Sequence, residues 1–256
     1  MSYWFVMAIV VIALIAVLIA ITLEPDEPKV DAAHSVGRPV WVALGSQARA
    51  PTVNAEQSGE SWVDQIRQEF GEHIISYDFT RFGATAAEIQ RDSLESAIAV
   101  RPDVVTLLIG PDDFHDAEPI EVFERRLWII LSAIRQVNAL PILSTLPDVT
   151  TLPSLAAEDD ASLLSDERAS WNVAIARLSA ASHAELIEFN EVDQNGESLF
   201  TESSGRFLLT PTGHQWFAAR MIGAMRERID VSRSAPTEPE PEPGNRDDVS
   251  DNEHLS

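Results

Sequence analysis

The segment Val42–Thr52, VALGSQARAPT, carries a hydrophobic run into Gly45 and sets Ser46 directly after it. A strand that delivers a serine through a glycine is one way to hold a nucleophile at the edge of a sheet. The hydroxyl attacks only when a base takes its proton, and a carboxylate commonly orients that base. His115 is the nearest candidate base, in the stretch PDDFHD beside Asp112, Asp113 and Asp116. The same acids with His115 have the donor types of a divalent-cation site. Consecutive acids in a polar loop are read first as solvated, as is His115 among them, so no metal and no cofactor is expected.

Other residues of the right type are read as structural. His34, His73 and His183 fall in linker or element-boundary positions, and His254 lies near the C-terminal end. His214 belongs to the last helix in a packing or helix-surface role. Glu158, Asp159 and Asp160 form a surface charge run. Trp128, Trp171 and Trp216 sit on helical stripes and are expected in the core.

Alternating elements must position these groups. Val40–Leu44, His73–Phe79, Asp103–Ile109, Leu140–Leu143 and Glu185–Phe189 read as five strands. Asp103–Ile109, DVVTLLI, is the continuous β-branched run of a strand buried on both faces. Between the strands, Trp62, Ile66 and Phe70 recur at helical spacing before Gly71, and Thr85–Val100 is helical up to Arg101-Pro102. Phe123, Leu127, Ile130, Ile134 and Val137 mark another helix, Trp171, Ile175 and Leu178 a fourth, and Pro211 opens a last one reaching about Ile229. Strands alternating with helices predict a parallel sheet covered on both faces, with the working loops at the strands' C-terminal ends.

The ends have a different composition. Trp4–Leu23 is a charge-free apolar run, long enough at ~1.5 Å per residue to cross ~30 Å of hydrocarbon, and no basic residue precedes it. It is read as an uncleaved membrane anchor, with the domain facing outward; a cleaved signal peptide is the alternative. The tail SAPTEPEPEPGNRDDVSDNEHLS has no apolar face to bury and reads as disordered. The expected organisation is therefore an anchor over residues 1–23, a linker over 24–38, one domain over 39–230 and an acidic tail over 231–256. The formal net charge of −23 argues against nucleic acid as a partner, and the absence of cysteine excludes disulfides and thiolate chemistry.

Four strand-end segments, in this order, resemble the blocks of the SGNH/GDSL hydrolase family. ALGSQ is similar to the first block, RFGATAAEI to the second, TLLIGPDDF to the third and FLLTPTGHQWFA to the last. The resemblance implies a three-layer α/β/α, flavodoxin-like fold around a five-stranded parallel sheet, with ester-hydrolase or acyl-transfer chemistry. It also implies that Gly83 donates an oxyanion N–H and that Gly45 shapes the pocket beside the nucleophile. With Gly45 aligned, however, the nucleophile position holds Gln47, the oxyanion asparagine position Asp112, the catalytic aspartate position Gly205 and the catalytic histidine position Leu208. An amide is no nucleophile, leucine takes no proton, and an ionised Asp112 opposes an oxyanion. The expectation is a membrane-anchored, non-catalytic binding or scaffolding protein at the cell envelope, with a glycan, an acyl ligand or a protein as partner. The alternative is an active ester hydrolase or acyl-transfer enzyme using Ser46 with a non-standard base such as His115.

Overall fold

The computed structural model describes residues 37–46, 61–148, 161–189, 198–203 and 206–234. The proposed anchor at Trp4–Leu23, the linker up to residue 36, the Glu158–Asp160 run, His34, His254 and the acidic tail lie outside them. Among the described residues, no helix is long and apolar enough to cross a membrane.

Five parallel strands form the sheet: β1 (Val40–Ser46), β2 (Ile75–Arg81), β3 (Val104–Leu108), β4 (Leu140–Ser144) and β5 (Glu185–Ile187), in the order β2-β1-β3-β4-β5. Every residue of β1 and β3 is buried, as expected for central strands covered on both faces. Even Thr106 is fully buried, its hydroxyl accepting the Trp41 indole N–H at 3.0 Å.

The helices follow from caps and stripes. Helix α1 (Trp62–Phe70) starts at a reciprocal cap between Ser61 and Asp64 and buries Trp62, Val63, Ile66 and Phe70. Thr85 and Glu88 cap the next helix in the same way. It runs through Ala86–Glu88, a π turn at Ile89–Ser93 and Leu94–Ala99, and is called α2 throughout. A short helix α3 (Pro111–His115) follows β3, then α4 (Ile120–Gln136), α5 (Ala161–Ala181) and α6 (Pro211–Ser234). The chain steps from β1 to β2 in one direction and onward to β3, β4 and β5 in the other. Right-handed crossovers therefore put α1 on one face and α2, α4 and α5 on the opposite face. Packing of α1 against α6, and of α4 against both α2 and α5, completes the three layers.

Three expectations are corrected. Helix α6 continues to Ser234, so residues 231–234 belong to the helix and not to the tail. Trp128 is 46% exposed, because it follows Leu127 by one helical step of ~100° and so turns away from the inward stripe of Phe123, Leu127, Ile130 and Ile134. Of the two other tryptophans, Trp171 is buried and Trp216 only partly so. Finally, β1 does not end at Gly45. It runs through Gly45 and Ser46, which pair with Thr80 and Arg81 of β2.

The glycine is needed inside the strand. Its φ is 107°, and a Cβ there would stand 2.2 Å from the Leu108 carbonyl oxygen of β3. Gly45→Ala should lower the unfolding free energy by about 2 kcal/mol or more through left-handed strain and overpacking. On α6, a Cβ added at Gly223 would meet nothing within 4 Å, so Gly223→Ala should have the opposite sign, a gain of roughly 0.5–1 kcal/mol. Urea titrations of the two variants check both, and a neutral Gly45→Ala would mean that β1 and β3 separate at no cost.

Candidate functional site

The strand order reverses direction between β1 and β3, the place where open α/β sheets form a ligand crevice beyond the strands' C-terminal ends. Four segments meet there. Ser46 is the last residue of β1, and Gly83 lies in the turn after β2 with φ 66°. Asp112 and Asp113 lie on α3, directly after β3. The hairpin of β6 (Phe200–Ser203) and β7 (Arg206–Leu209) supplies Arg206 and Leu208, which alternate with the buried Phe207 and Leu209.

Packing fixes these segments. Trp171 of α5 stacks on Phe123 of α4 with ring centres 4.4 Å apart and meets Phe114 of α3 edge-on at 5.4 Å. This holds α3 from below. Asp113 is fully buried, and both of its oxygens accept the Ala86 N–H, at 2.9 and 3.0 Å, which ties α3 to the first turn of α2. Phe207 packs against Phe189 and Phe200, holding the hairpin on the domain.

The electrostatics centre on Asp112. It is 1% exposed, and neither carboxylate oxygen makes a full hydrogen bond. The Ser46 hydroxyl and the Phe207 N–H lie near enough to favour its charged form without reaching hydrogen-bond geometry. Arg206 Nη1 is 3.9 Å from Asp112 Oδ1 and only 2.8 Å from Asp116 Oδ2, so its main bond is to Asp116. Burial outweighs these contributions and pushes the Asp112 carboxyl up to about 6. Burial likewise pushes Asp113 up to about 7, against the pull of the Ala86 N–H. The bond to Asp116 raises the Arg206 guanidinium above its ordinary range. The stem of Arg206 also closes over Gly83, where a Cβ would stand 3.2 Å from Arg206 Cδ.

These observations correct the solvated-loop reading of the acids: Asp112 and Asp113 are interior groups, and only Asp116 is well exposed. His115 is not a loop residue. It ends α3, and its Nδ1 lies 3.5 Å from Asp116 Oδ1. His214 is buried, and its Nδ1 accepts the Trp62 N–H at 3.2 Å, so it joins α6 to the start of α1. Ser46 is fully buried against Asp112. Gln47 and Gly205 lie outside the described residues. Among the described residues, no three His, Asp or Glu side chains gather as ligands for a metal ion.

A model of the GDSL-like Lipase/Acylhydrolase family matches residues 42–216, a span that runs from β1 into α6. The chain belongs to this family. Among solved structures, the lipase/acylhydrolase from Enterococcus faecalis aligns with a TM-score of 0.57 at 14% identity, over 75% of this chain and 97% of that one. The psychrotrophic esterase EstA from Pseudoalteromonas sp. gives 0.56 at 15% identity, over 75% and 98% of the two chains. The acetylxylan esterase Axe2 from Geobacillus stearothermophilus gives 0.53 at 12% identity, over 74% and 94%. At these identities the likeness is one of fold. No curated protein matches the sequence.

In this GDSL-like domain Ser46 lies against Asp112, and Gly83 lies under the stem of Arg206. Leu208, where the resemblance aligns the histidine, pairs with Thr201 in the hairpin and offers only hydrocarbon. Arg206 was missed by motif reading, because the block comparison looks at positions 205 and 208 and passes over the residue between them. The signal was the two-residue alternation of RFLL, which puts Arg206 on the same strand face as Leu208.

The raised carboxyls set a pH dependence. In the unfolded chain an aspartate titrates near ~3.9, so between about pH 4 and about pH 7 the folded domain binds more protons than the unfolded one. Stability from these groups is therefore full below pH ~4 and falls as pH rises through the folded values of about 6 and about 7. Asp112→Asn should leave stability unchanged near pH ~4, raise it near pH ~8 by roughly 1–3 kcal/mol and flatten the slope between. Urea titrations across that range check this, and a variant that follows the wild-type slope would mean that Asp112 stays ionised throughout.

Proposed function

We propose that this chain is a membrane-anchored member of the GDSL-like family in which binding or scaffolding at the cell envelope has replaced hydrolysis. The observation that carries the reading is the position of Arg206. Its stem covers Gly83 and its guanidinium stands between Asp112 and Asp116, so the crevice where an oxyanion would develop is filled by a side chain. The surrounding groups support the same reading. Ser46 is fully buried, with a carboxyl group facing its hydroxyl, and Leu208 takes no proton. Losing one oxyanion donor costs about 2.7–4 kcal/mol of transition-state stabilisation in an enzyme that depends on it. An ionised Asp112 adds repulsion to that loss. The charge-free run Trp4–Leu23 supports the anchor, and a glycan, acyl group or envelope protein is the class of partner.

The full-length protein should hydrolyse p-nitrophenyl acetate no faster than buffer and take up no fluorophosphonate, and Ser46→Ala should change neither result. Stoichiometric labelling of the wild type but not of Ser46→Ala would establish an ester hydrolase or acyl-transfer enzyme instead, with His115 as the base to replace next. The chain should also float with lipid vesicles and stay there through a high-salt wash. Release by salt would remove the anchor from the proposal.

A further inference from the structure

Asp112 combines two properties that rarely coexist: it is 1% exposed, and neither carboxylate oxygen completes a hydrogen bond, although the Ser46 hydroxyl and the Phe207 N–H lie close to it. Buried carboxylates are ordinarily paired and hydrogen-bonded, because removing the charge from water is costly. Among the described residues, other arginines have partners of their own, and His115 Nδ1 lies 3.5 Å from Asp116 Oδ1. Arg126 pairs with Glu118, and Arg81 and Arg91 both bond Asp92. Arg206 gives its close bond to Asp116 and reaches Asp112 only at 3.9 Å. Among the described residues, that guanidinium is drawn by Asp116, Asp112 and Glu88 together, so three carboxylates share it.

We propose that this crevice is a receptor for a guanidinium-type organic cation, and that Arg206 is its resident occupant in the described state. The inference rests on the binding role proposed above. Two unsatisfied oxygens on one planar carboxylate match the paired N–H groups of a guanidinium fork, which a point-charge ammonium matches less well. The space beside Asp112 and Asp116 already accommodates such a group. Arg206 is about one-third exposed and stands on a two-stranded hairpin, so its side chain can turn outward and admit a competitor. The competitor is either a free small cation or the arginine side chain of a partner protein.

Calorimetry on the full chain in detergent tests this with methylguanidinium and acetyl-arginine-amide as probes, and with sodium and tetramethylammonium at equal ionic strength as controls. Self-occupancy lowers apparent affinity by the fraction of time the site is taken, so Arg206→Ala should bind the probes about tenfold tighter than wild type or better. Arg206→Met keeps the stem over Gly83 and removes only the fork, and gives the same reading if the alanine variant fails to fold. Adding Asp112→Asn to either variant should abolish binding. Equal affinity for the two probes assigns recognition to a free cation, and tighter binding of the arginine derivative assigns it to a partner's side chain. Binding no tighter in the Arg206 variants than in wild type, or binding that survives Asp112→Asn, overturns the proposal. Either result leaves the absence of hydrolysis standing, which is read separately by labelling at Ser46.

Discussion

The Leu108 carbonyl of β3 stands where any side chain on residue 45 would have to go. That closeness keeps the two central strands in register up to their ends, so that Gly45 lies opposite Leu108 and Ser46 follows at the sheet's rim. A tight strand pair at this point brings the segment after β3 against the end of β1. Asp112 and Ser46 are thereby buried together, and the chemistry of the crevice follows from that burial.

An isolated buried carboxylate has three responses: take a proton, find a donor or acquire a counter-charge. Asp113 finds a donor in the Ala86 N–H at the start of α2, and so doubles as a fastening between α3 and that helix. Asp112, one residue earlier, has none of comparable quality. It is answered by partial protonation and by a guanidinium at 3.9 Å. Neighbouring residues of the same type thus have different roles, one structural and one electrostatic, because only one faces a helix terminus.

The likeness to solved esterase and acylhydrolase structures at 12–15% identity is one of fold. Buried strand residues, the glycine at a close backbone approach and the aromatic contacts under α3 are packing requirements, and many sequences meet them. Proton transfer makes no comparable demand on the sheet. A leucine at position 208 and an arginine at position 206 fit the hairpin's alternation as well as catalytic residues would. The packing of the sheet does not depend on which side chains the hairpin carries outward, and for this reason fold and activity are separate questions.

Much of the fold was legible before any coordinates. The parallel sheet follows from near-continuous apolar runs at Val40–Leu44 and Asp103–Ile109, and the helices from apolar stripes bounded by capping residues and Arg101-Pro102. These are local properties, set by neighbours along the chain, and the positions of Ser46, Gly83 and Asp112 at strand ends came with them. Their environment did not. A run of acids reads as solvated because sequence carries no record of what packs over it, and Asp112 and Asp113 proved to be interior. Trp128 reads as core because a helical stripe is broad, and a single step of rotation decides between core and solvent. Arg206 acquires its role only when a hairpin from late in the chain folds over the end of β1. The sequence by itself determined the elements and their order. The tertiary structure alone decided which charges are buried together, because desolvation depends on every segment that closes over a group.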